Sequence, residues 1–436
     1  MSGKINRRSF VERSALAGTG VVISPFISRA AGFFNSVDDT IKIALVGCGG
    51  RGTGAASQAL STKQNVKLVA MADAFKDNLE ASLTNIINEV GKDKVDVPKD
   101  RQYVGFDGYL HAIQHADVVI LATPPGFRPI HFAEAIAQNK HVFMEKPVAT
   151  DAPGVRKVLE TAAIAKQKKL NVVVGLQRHY QAKYTKIMDL VHDGKIGDIT
   201  SAQAYWNSAG VWVRPRVAGQ TEMEYQMRNW YYFNWLCGDH INEQHIHNID
   251  VINWAKQATP VSAQGMGGRQ VRTGKEYGEI YDHHYVEFTY ADGTIMNSQC
   301  RHIKNCWDEV NEKLVGTKGT VDFGEGSVMG YNGKSILKYD AKNDPNPYQV
   351  EHDLLFDAIA KGEYKFDNAE YGATSTMTAI LGRMATYSGK MIKWDEALNS
   401  KISIMPKEYA WDANPPVLPN EEGFYPIPMP GSTEVI

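Results

Sequence analysis

A glycine-rich turn directly after a short apolar run constrains the fold of this chain more than any other feature of its sequence. The run Ile41–Val46 is rich in β-branched residues, which is typical of a buried parallel strand. Glycines follow it with G-x-G-x-x-G spacing, and residues 55–60 have helical character. This spacing lets the backbone approach a pyrophosphate, which the amides at a helix N-terminus bind. The sequence therefore predicts a dinucleotide-binding turn. The expected contacts come from Gly47, Gly49, Gly50, Arg51 and Gly52.

An acidic residue at the end of the second predicted strand indicates which dinucleotide binds. Asp73 follows the apolar run 66–71 and lies about 20 residues after the glycine turn. A carboxylate there accepts the ribose hydroxyls of NAD and repels the 2′-phosphate of NADP. The next two residues are alanine and phenylalanine rather than arginine, so NAD is favoured over NADP. The alternative is that Asp73 only caps a helix over 75–90.

Further apolar runs at 117–122, 141–144 and 171–175 alternate with helical stretches. This alternation predicts an α/β fold with a doubly wound parallel sheet, which is a Rossmann domain. Ligands of such sheets bind beyond the carboxyl ends of the strands. Cofactor contacts are therefore also expected from Thr123, Pro124, Arg128, Glu145, Lys146 and Gln177.

The second half of the chain has a different pattern. The stretches 285–290 and 294–301 alternate apolar and polar residues, and an Asp-Gly turn at 291–293 separates them. Such a turn between alternating stretches is a strong hairpin signal. We therefore expect an α+β domain with a largely antiparallel open sheet after the Rossmann domain.

Several motifs together resemble the Gfo/Idh/MocA oxidoreductases, the glucose–fructose oxidoreductase and inositol dehydrogenase group. They are the glycine turn, Ala-Thr-Pro-Pro at 122–125, and Glu-Lys-Pro at 145–147, and the resemblance extends over most of 41–395. It implies NAD(P)-dependent oxidation or reduction of a secondary carbinol in sugars or cyclitols. It also implies that Lys146 lies near the nicotinamide and the reacting oxygen. Arg128 replaces a histidine common in the family, so the cofactor contacts of its loop are expected to differ.

The segment from Gly238 to Asp250 concentrates acidic residues and histidines. Glu243, His247 and Asp250 match the signature of the family's second domain, with Glu where Asp is usual. On a continuous helix Glu243 and His247 share a face, so the carboxylate orients the imidazole. We expect His247 to take the hydroxyl proton while Lys146 holds the oxygen. The plainer alternative is that His247 is a hydrogen-bonded core histidine.

Metal binding is the other alternative for this segment. His240, Glu243, His245 and His247 are ligand types with near-helical spacings. His245 and His247 point to different faces of a helix, so no metal is predicted. Substrate contacts are expected from residues that can donate to hydroxyls or stack on sugar rings, although such residues more often fill a core. They are Arg178, Trp212, His240, Asn242 and Asp250.

The N-terminus carries a twin-arginine signature. Arg7 and Arg8 precede a weakly apolar run and small residues near Ala30, which predicts a signal peptide and a periplasmic protein. A periplasm has no free NAD pool, so the cofactor should be held tightly. The 47 basic and 49 acidic residues nearly balance, which argues against nucleic acid as a partner. No membrane span is predicted.

The sequence thus predicts a leader over 1–31, an NAD-binding domain over 40–178 and a substrate domain over 179–395. An extended arm follows over 396–436. The resemblance further implies a helix at 373–390 that returns to the first domain, and a homo-oligomer formed through the second sheet. Two other functions remain open at this point. One is a redox-neutral, NAD-dependent glycosidase or lyase, and the other is a non-catalytic sugar-binding protein.

Overall fold

The computed structural model describes residues 39–436, which form two sheets with helices packed against them. The predicted leader, residues 1–31, lies outside the described residues. Within the described chain, no helix combines the length and the hydropathy that a membrane span requires.

The first sheet has six parallel strands in the order β3-β2-β1-β4-β5-β6. The chain order reverses between β1 and β4, which pair in parallel. In doubly wound sheets the ligand crevice opens at this switch point. The strands are β1 (Ile41–Val46), β2 (Val66–Asp73), β3 (Gln102–Val104), β4 (Val118–Leu121), β5 (His141–Met144) and β6 (Val172–Val174). The helices among and after them are α1 (Gly50–Leu60), α2 (Lys76–Val90), α3 (Gly108–Gln114), α4 (Arg128–Ala137), α5 (Ala152–Gln167) and α6 (Ala182–His192).

The apolar runs in the sequence form this sheet because helices cover both of its faces. Ile43, Leu45, Val118 and Ile120 are fully buried in the centre of the sheet. A strand buried on both faces needs an unbroken apolar run rather than alternation. The predicted Rossmann domain is confirmed.

The second sheet has nine strands in the order β14-β13-β12-β11-β7-β10-β9-β8-β15. Among the described strands of this second sheet, only the β7–β10 pair is parallel, so the prediction of a largely antiparallel sheet is confirmed. The strands are β7 (Ile199–Ser208), β8 (Ser262–Gly268), β9 (His283–Thr289), β10 (Ile295–His302), β11 (Glu309–Gly316), β12 (Gly319–Asp322), β13 (Ser327–Gly330), β14 (Ser335–Lys338) and β15 (Ile392–Lys393). The helices of this half are α7 (Glu222–Arg228), α8 (Asn234–Cys237), α9 (His240–Glu243), α10 (Ile246–Lys256), α11 (Pro347–Ala360), α12 (Ala369–Ser388) and α13 (Trp394–Leu398).

Helix α12 lies between the two sheets. Near its start, Gly372 packs against Val174 at the edge of the first sheet. Further along, Gly382 packs against Phe288 of the second sheet. A side chain at either glycine would collide with these neighbours, so the small residues set how closely the helix approaches both sheets.

The arm after α13 packs on its own chain. Trp411 contacts Phe75 and Phe106, with ring centroids 5.1 and 4.5 Å apart. Tyr425 packs edge-on against Phe233 at 4.9 Å. The aromatic residues of the arm therefore lie over the boundary between the Rossmann domain and the second half of the chain.

Candidate active site

The glycine turn depends on close approaches that a Cβ atom would prevent. Gly47 has φ +97°, and a Cβ on it would lie 2.4 Å from the backbone nitrogen of Thr123. A Cβ on Gly52 would lie 1.9 Å from the Gly47 carbonyl oxygen. Both contacts are with backbone, which cannot move aside. The turn therefore requires glycine at both positions, as the spacing predicts.

The N-terminus of α1 faces an open space. Within residues 39–436, no side chain caps the helix at Gly49, and its first turn contains no acidic residue. A Cβ on Gly49 or Gly50 would meet no described atom within 4 Å. Exposed amides and the positive end of a helix form an anion site. This cradle fits the pyrophosphate of a dinucleotide.

Asp73 lies beside this cradle and is tied to it. Its Oδ2 accepts a hydrogen bond from the Cys48 amide at 2.7 Å, and its Oδ1 accepts one from the Phe75 amide at 2.8 Å. Burial raises the pKa of the carboxyl above its ordinary value. The first bond holds the turn, and the second supports the start of α2. Asp73 can therefore support the start of α2 and still lie where the ribose of NAD would bind.

A cleft of about 1110 Å³ begins at the turn and runs between the two halves of the chain. Most of the predicted cofactor residues near the switch point line it, and the opposite wall comes from the segment 212–230. Trp212 belongs to this wall, so the structure places it beside the predicted cofactor site. The lining includes Gly47, Gly49, Gly50, Arg51, Asp73, Thr123, Pro124, Trp212, Arg214 and Trp230.

Contacts between the halves form part of the wall of this cleft, which Phe75, Asp77 and Arg228 line. Arg228 of α7 makes two hydrogen bonds, of 2.7 and 2.9 Å, to the carboxylate of Asp77 on α2. Its guanidinium also lies 3.7 Å from the centroid of the Phe75 ring. Trp411 packs on the same ring. None of these residues was predicted as part of the site. Tyr409 and Trp411 lie close together in a proline-rich tail. Two large aromatic side chains there are the signal that could have suggested that the tail packs against the rest of the protein.

Arg51 links the turn to the end of β5. Its Nε donates to Glu145 Oε1 at 2.5 Å, and its Nη2 lies 3.4 Å from Glu351 Oε1 on α11. Burial, and then the charge of Glu145, raises the pKa of Glu351 well above its ordinary value. Gln177 follows β6, and its buried Oε1 accepts no hydrogen bond within the described part of the chain. This free acceptor suits a ligand with an amide group, whose N–H can donate to it.

Arg128 does not line the cleft. It is 1% exposed and donates to the carbonyl oxygens of Leu121 and Thr123 at 2.6 and 2.7 Å. The structure therefore corrects its predicted role as a cofactor contact. The guanidinium satisfies backbone acceptors at the end of β4 and so fixes the loop that carries Thr123 and Pro124.

Lys146 and Glu243 bring the two halves together at the predicted reaction site. Lys146 follows β5, and its Nζ donates to Glu243 Oε1 at 3.0 Å and to the Glu243 carbonyl oxygen at 2.6 Å. The side chains are 13% and 14% exposed. An ammonium held by two acceptors is positioned rather than mobile, and the third proton remains available for another oxygen.

His247 lies close to this pair. Burial, followed by the positive charges of Lys146, Arg178 and Arg51, lowers its pKa well below the ordinary value. Its Nδ1 is buried and has no hydrogen-bond partner among residues 39–436. Its ring stacks on Trp206 with centroids 5.9 Å apart. His247 is therefore a neutral imidazole with an unsatisfied nitrogen, and this argues against a hydrogen-bonded core histidine.

The expected continuous helix through Glu243 and His247 is not observed. Helix α9 ends at Glu243, and α10 begins at Ile246. The carboxylate of Glu243 binds Lys146, and no hydrogen bond to His247 occurs in the described structure. The predicted role of Glu243 in orienting His247 is thereby corrected, because the acid acts on the lysine.

Three predicted substrate contacts belong to buried networks instead. The Asn242 amide donates to the carbonyl oxygens of Ala149 and Cys237 at 3.0 and 3.1 Å. Asp250 accepts from Ser375 at 2.6 Å and lies 2.8 Å from His179. Arg178 pairs with Glu312, which is fully buried on β11. In this structure all three brace the domain boundary.

The histidines on either side of Glu243 are also directed elsewhere. His245 bonds to Ser298 of β10 at 2.7 Å. His240 is 1% exposed and stacks on His302 with centroids 4.3 Å apart. The set His240, Glu243, His245 and His247, considered above as metal ligands, is therefore not assembled around one point.

Comparison with known proteins agrees with this architecture. Residues 41–176 match the oxidoreductase family with an NAD-binding Rossmann fold, and residues 184–322 match the GFO/IDH/MocA C-terminal domain. Inositol 2-dehydrogenase of Agrobacterium fabrum is 24% identical over 350 residues, which cover 78% of this chain and 92% of that protein. Its counterpart in Pseudomonas fluorescens is 27% identical over 363 residues, covering 81% and 96%.

Solved structures share the fold. A scyllo-inositol dehydrogenase from Lactobacillus casei with bound NAD(H) and scyllo-inositol has a TM-score of 0.62 at 22% identity, covering 82% of this chain and 100% of that one. An aldose-aldose oxidoreductase from Caulobacter crescentus has a TM-score of 0.62 at 17% identity, covering 81% and 100%. With both family domains present in order, the chain belongs to the Gfo/Idh/MocA oxidoreductases, and its first domain is their NAD-binding Rossmann domain.

Proposed function

We propose that the protein is an NAD-dependent dehydrogenase of a secondary hydroxyl group in a cyclitol, sugar or glycoside. The observation that carries this is the convergence of Lys146, Glu243 and the unsatisfied imidazole of His247 at the domain boundary. The relatives named as inositol 2-dehydrogenases support a cyclitol or a similar polyol as the substrate class.

Oxidation of a carbinol removes a hydride from carbon and a proton from oxygen, and different residues serve these two steps. Bound NAD supplies the acceptor for the hydride. A ring nitrogen of His247 accepts the hydroxyl proton, which its neutral state allows. The Lys146 ammonium donates to the same oxygen and stabilises the negative charge that develops there. Glu243 keeps the ammonium in place through its two acceptor oxygens.

Removing the imidazole tests this assignment. His247→Ala should lower kcat roughly a hundredfold or more, because a positioned general base contributes about that factor. Steady-state kinetics with inositols and sugars, together with NAD binding by calorimetry, measure the effect. NAD affinity should stay within a few-fold of the parent value, since the proposed contact of His247 is with the substrate and not with the cofactor.

The matched control for that experiment is His111→Ala, which removes an exposed histidine of α3. It should leave kcat unchanged. Lys146→Met should lower kcat as His247→Ala does. Full turnover in either the His247 or the Lys146 variant would remove that residue from the mechanism.

We further propose that NAD is held tightly enough to remain bound through purification. The support is the Arg228–Asp77 ion pair, which joins the two halves at the cleft wall, and the packing of Trp411 on Phe75 and Phe106 of the same wall. An aromatic pair contributes about 0.5–1.5 kcal/mol beyond its buried area. Two such pairs therefore slow the opening of the cleft substantially.

Trp411→Ala should accordingly raise the dissociation rate of the cofactor, followed as NADH, about tenfold, which corresponds to about 1.4 kcal/mol. Stopped-flow fluorescence of bound NADH, displaced by excess NAD, measures this rate. Tyr364→Ala, which removes a part-exposed ring elsewhere on the surface, is the matched control. Equal dissociation rates in both variants would show that the arm does not retain the cofactor.

Export by the twin-arginine route is proposed from Arg7, Arg8 and the apolar run that follows them. Cell fractionation tests it: the parent protein should be periplasmic, and the double variant Arg7→Lys/Arg8→Lys should stay in the cytoplasm. A cytoplasmic parent protein would refute export.

Self-association through the second sheet is proposed from the face directed away from α12. Met266, Tyr285 and Tyr205 share that face in register, and Met266 is 76% exposed. Trp307 packs on Tyr205 with centroids 5.5 Å apart. Light scattering should give a multiple of the chain mass, reduced in Met266→Lys; a monomeric parent protein would contradict the proposal.

A further inference from the structure

A cluster of buried histidines and one acid lies behind the active-site segment. Asp239 is the N-cap residue of α9, His240 is the first residue of that helix, and His284 belongs to β9. They are 0%, 1% and 3% exposed. One ligand atom from each lies within 4.8 Å of the other two. From this geometry we propose that Asp239, His240 and His284 bind a divalent transition-metal cation of the Zn²⁺ class.

The distances suit a cation at the centre of the three side chains. His284 Nε2 lies 3.2 Å from Asp239 Oδ2, and His240 Nε2 lies 3.8 Å from Asp239 Oδ1. Zinc binds imidazole nitrogen and carboxylate oxygen at about 2.0–2.2 Å, so tetrahedral ligand atoms lie about 3.3 Å apart. Two imidazoles and a carboxylate are a donor set that zinc and iron(II) accept.

The tautomer of His284 directs a lone pair at the carboxylate. Its Nδ1 lies 2.9 Å from Thr386 Oγ1, and that hydroxyl donates its proton to the Gly382 and Arg383 carbonyl oxygens. In the tautomer whose Nδ1 donates to the hydroxyl, Nε2 has no proton, and this Nε2 is buried without a hydrogen-bond partner among residues 39–436. A lone pair facing a carboxylate oxygen at 3.2 Å is repulsive unless a cation lies between them.

His240 supplies an independent observation. Both of its ring nitrogens are buried without a hydrogen-bond partner in the described chain. Leaving a buried polar group unsatisfied costs about 1–3 kcal/mol. A cation bound to Nε2 would satisfy one of these nitrogens directly. It would explain why no protein group forms a hydrogen bond with this imidazole.

Asp239 carries the negative charge that such a cation needs. The His240 amide donates to its Oδ1 at 2.5 Å. The Tyr281 amide and the Tyr387 hydroxyl also donate to its Oδ2. No lysine or arginine of residues 39–436 forms an ion pair with this carboxylate. A buried anion without a fixed cationic partner is costly.

The position of the cluster gives the cation a structural consequence. Two of the ligands, Asp239 and His240, lie at the N-terminus of α9, and the helix ends at Glu243, which holds Lys146. A metal shared with β9 would fix this four-residue helix against the second sheet. The cation would thus position the acid that orients the active-site lysine.

The first test is the cation content of the parent protein with its cofactor. After purification without chelator and exhaustive dialysis, elemental analysis should find about one Zn²⁺ or Fe²⁺ per chain. After chelator treatment, titration with Co²⁺ should produce intense visible d–d bands that saturate at one equivalent, as for a four- or five-coordinate site. A folded parent protein that produces only the weak spectrum of free Co²⁺ would overturn the proposal.

Variants locate the site. His284→Gln should lower Co²⁺ affinity at least tenfold, whereas His245→Gln, which changes a buried histidine bonded to Ser298, should retain it. Circular dichroism checks that each variant is folded, and if His284→Gln is not, the parent titration decides alone. Equal affinity in the two folded variants would place the cation elsewhere and contradict the assignment. None of these readouts depends on turnover.

Discussion

The contact between Lys146 and Glu243 is the interaction on which the rest of the site depends. Lys146 follows a strand of the parallel sheet, and Glu243 ends a short helix of the second half, so this ion pair joins one half to the other. Neighbouring bonds hold the same junction. Asn242 donates to the Ala149 carbonyl oxygen and Arg383 donates to that of Thr150, so the loop after Lys146 is fixed by the segment that it faces. A reaction that requires a nicotinamide and a carbinol at one point needs this rigidity.

The electrostatics follow from that junction. The site gathers Lys146, Arg51 and Arg178, and their charges act on His247 together with its burial. Glu145 pairs with Arg51, and Glu312 pairs with Arg178, so each arginine charge is balanced by an adjacent carboxylate. The result is an imidazole that stays neutral and an ammonium that stays held. In the proposed mechanism the neutral imidazole is the base, and the held ammonium binds the oxygen.

The sequence was most informative where local chemistry decides the structure. The turn from Gly47 to Gly52 could be predicted because backbone collisions exclude every other residue, and the parallel strands could be predicted because burial on both faces demands unbroken apolar runs. The break between α9 and α10 could not. It depends on tertiary partners: Glu243 bonds to Lys146, and His245 bonds to Ser298. Arg178 likewise pairs with an acid 134 residues away, which no local pattern reveals.

The central claim is that this constellation removes a hydride and a proton from a secondary alcohol. The most direct measurement is the near-ultraviolet absorbance of the purified protein, before and after addition of each of a panel of inositols, sugars and glycosides. The account predicts that the band of reduced nicotinamide grows with at least one of them and persists. A protein that contains NAD but forms no reduced cofactor with any substrate would contradict the account, and release of an aglycone without a lasting band would indicate a redox-neutral glycosidase instead.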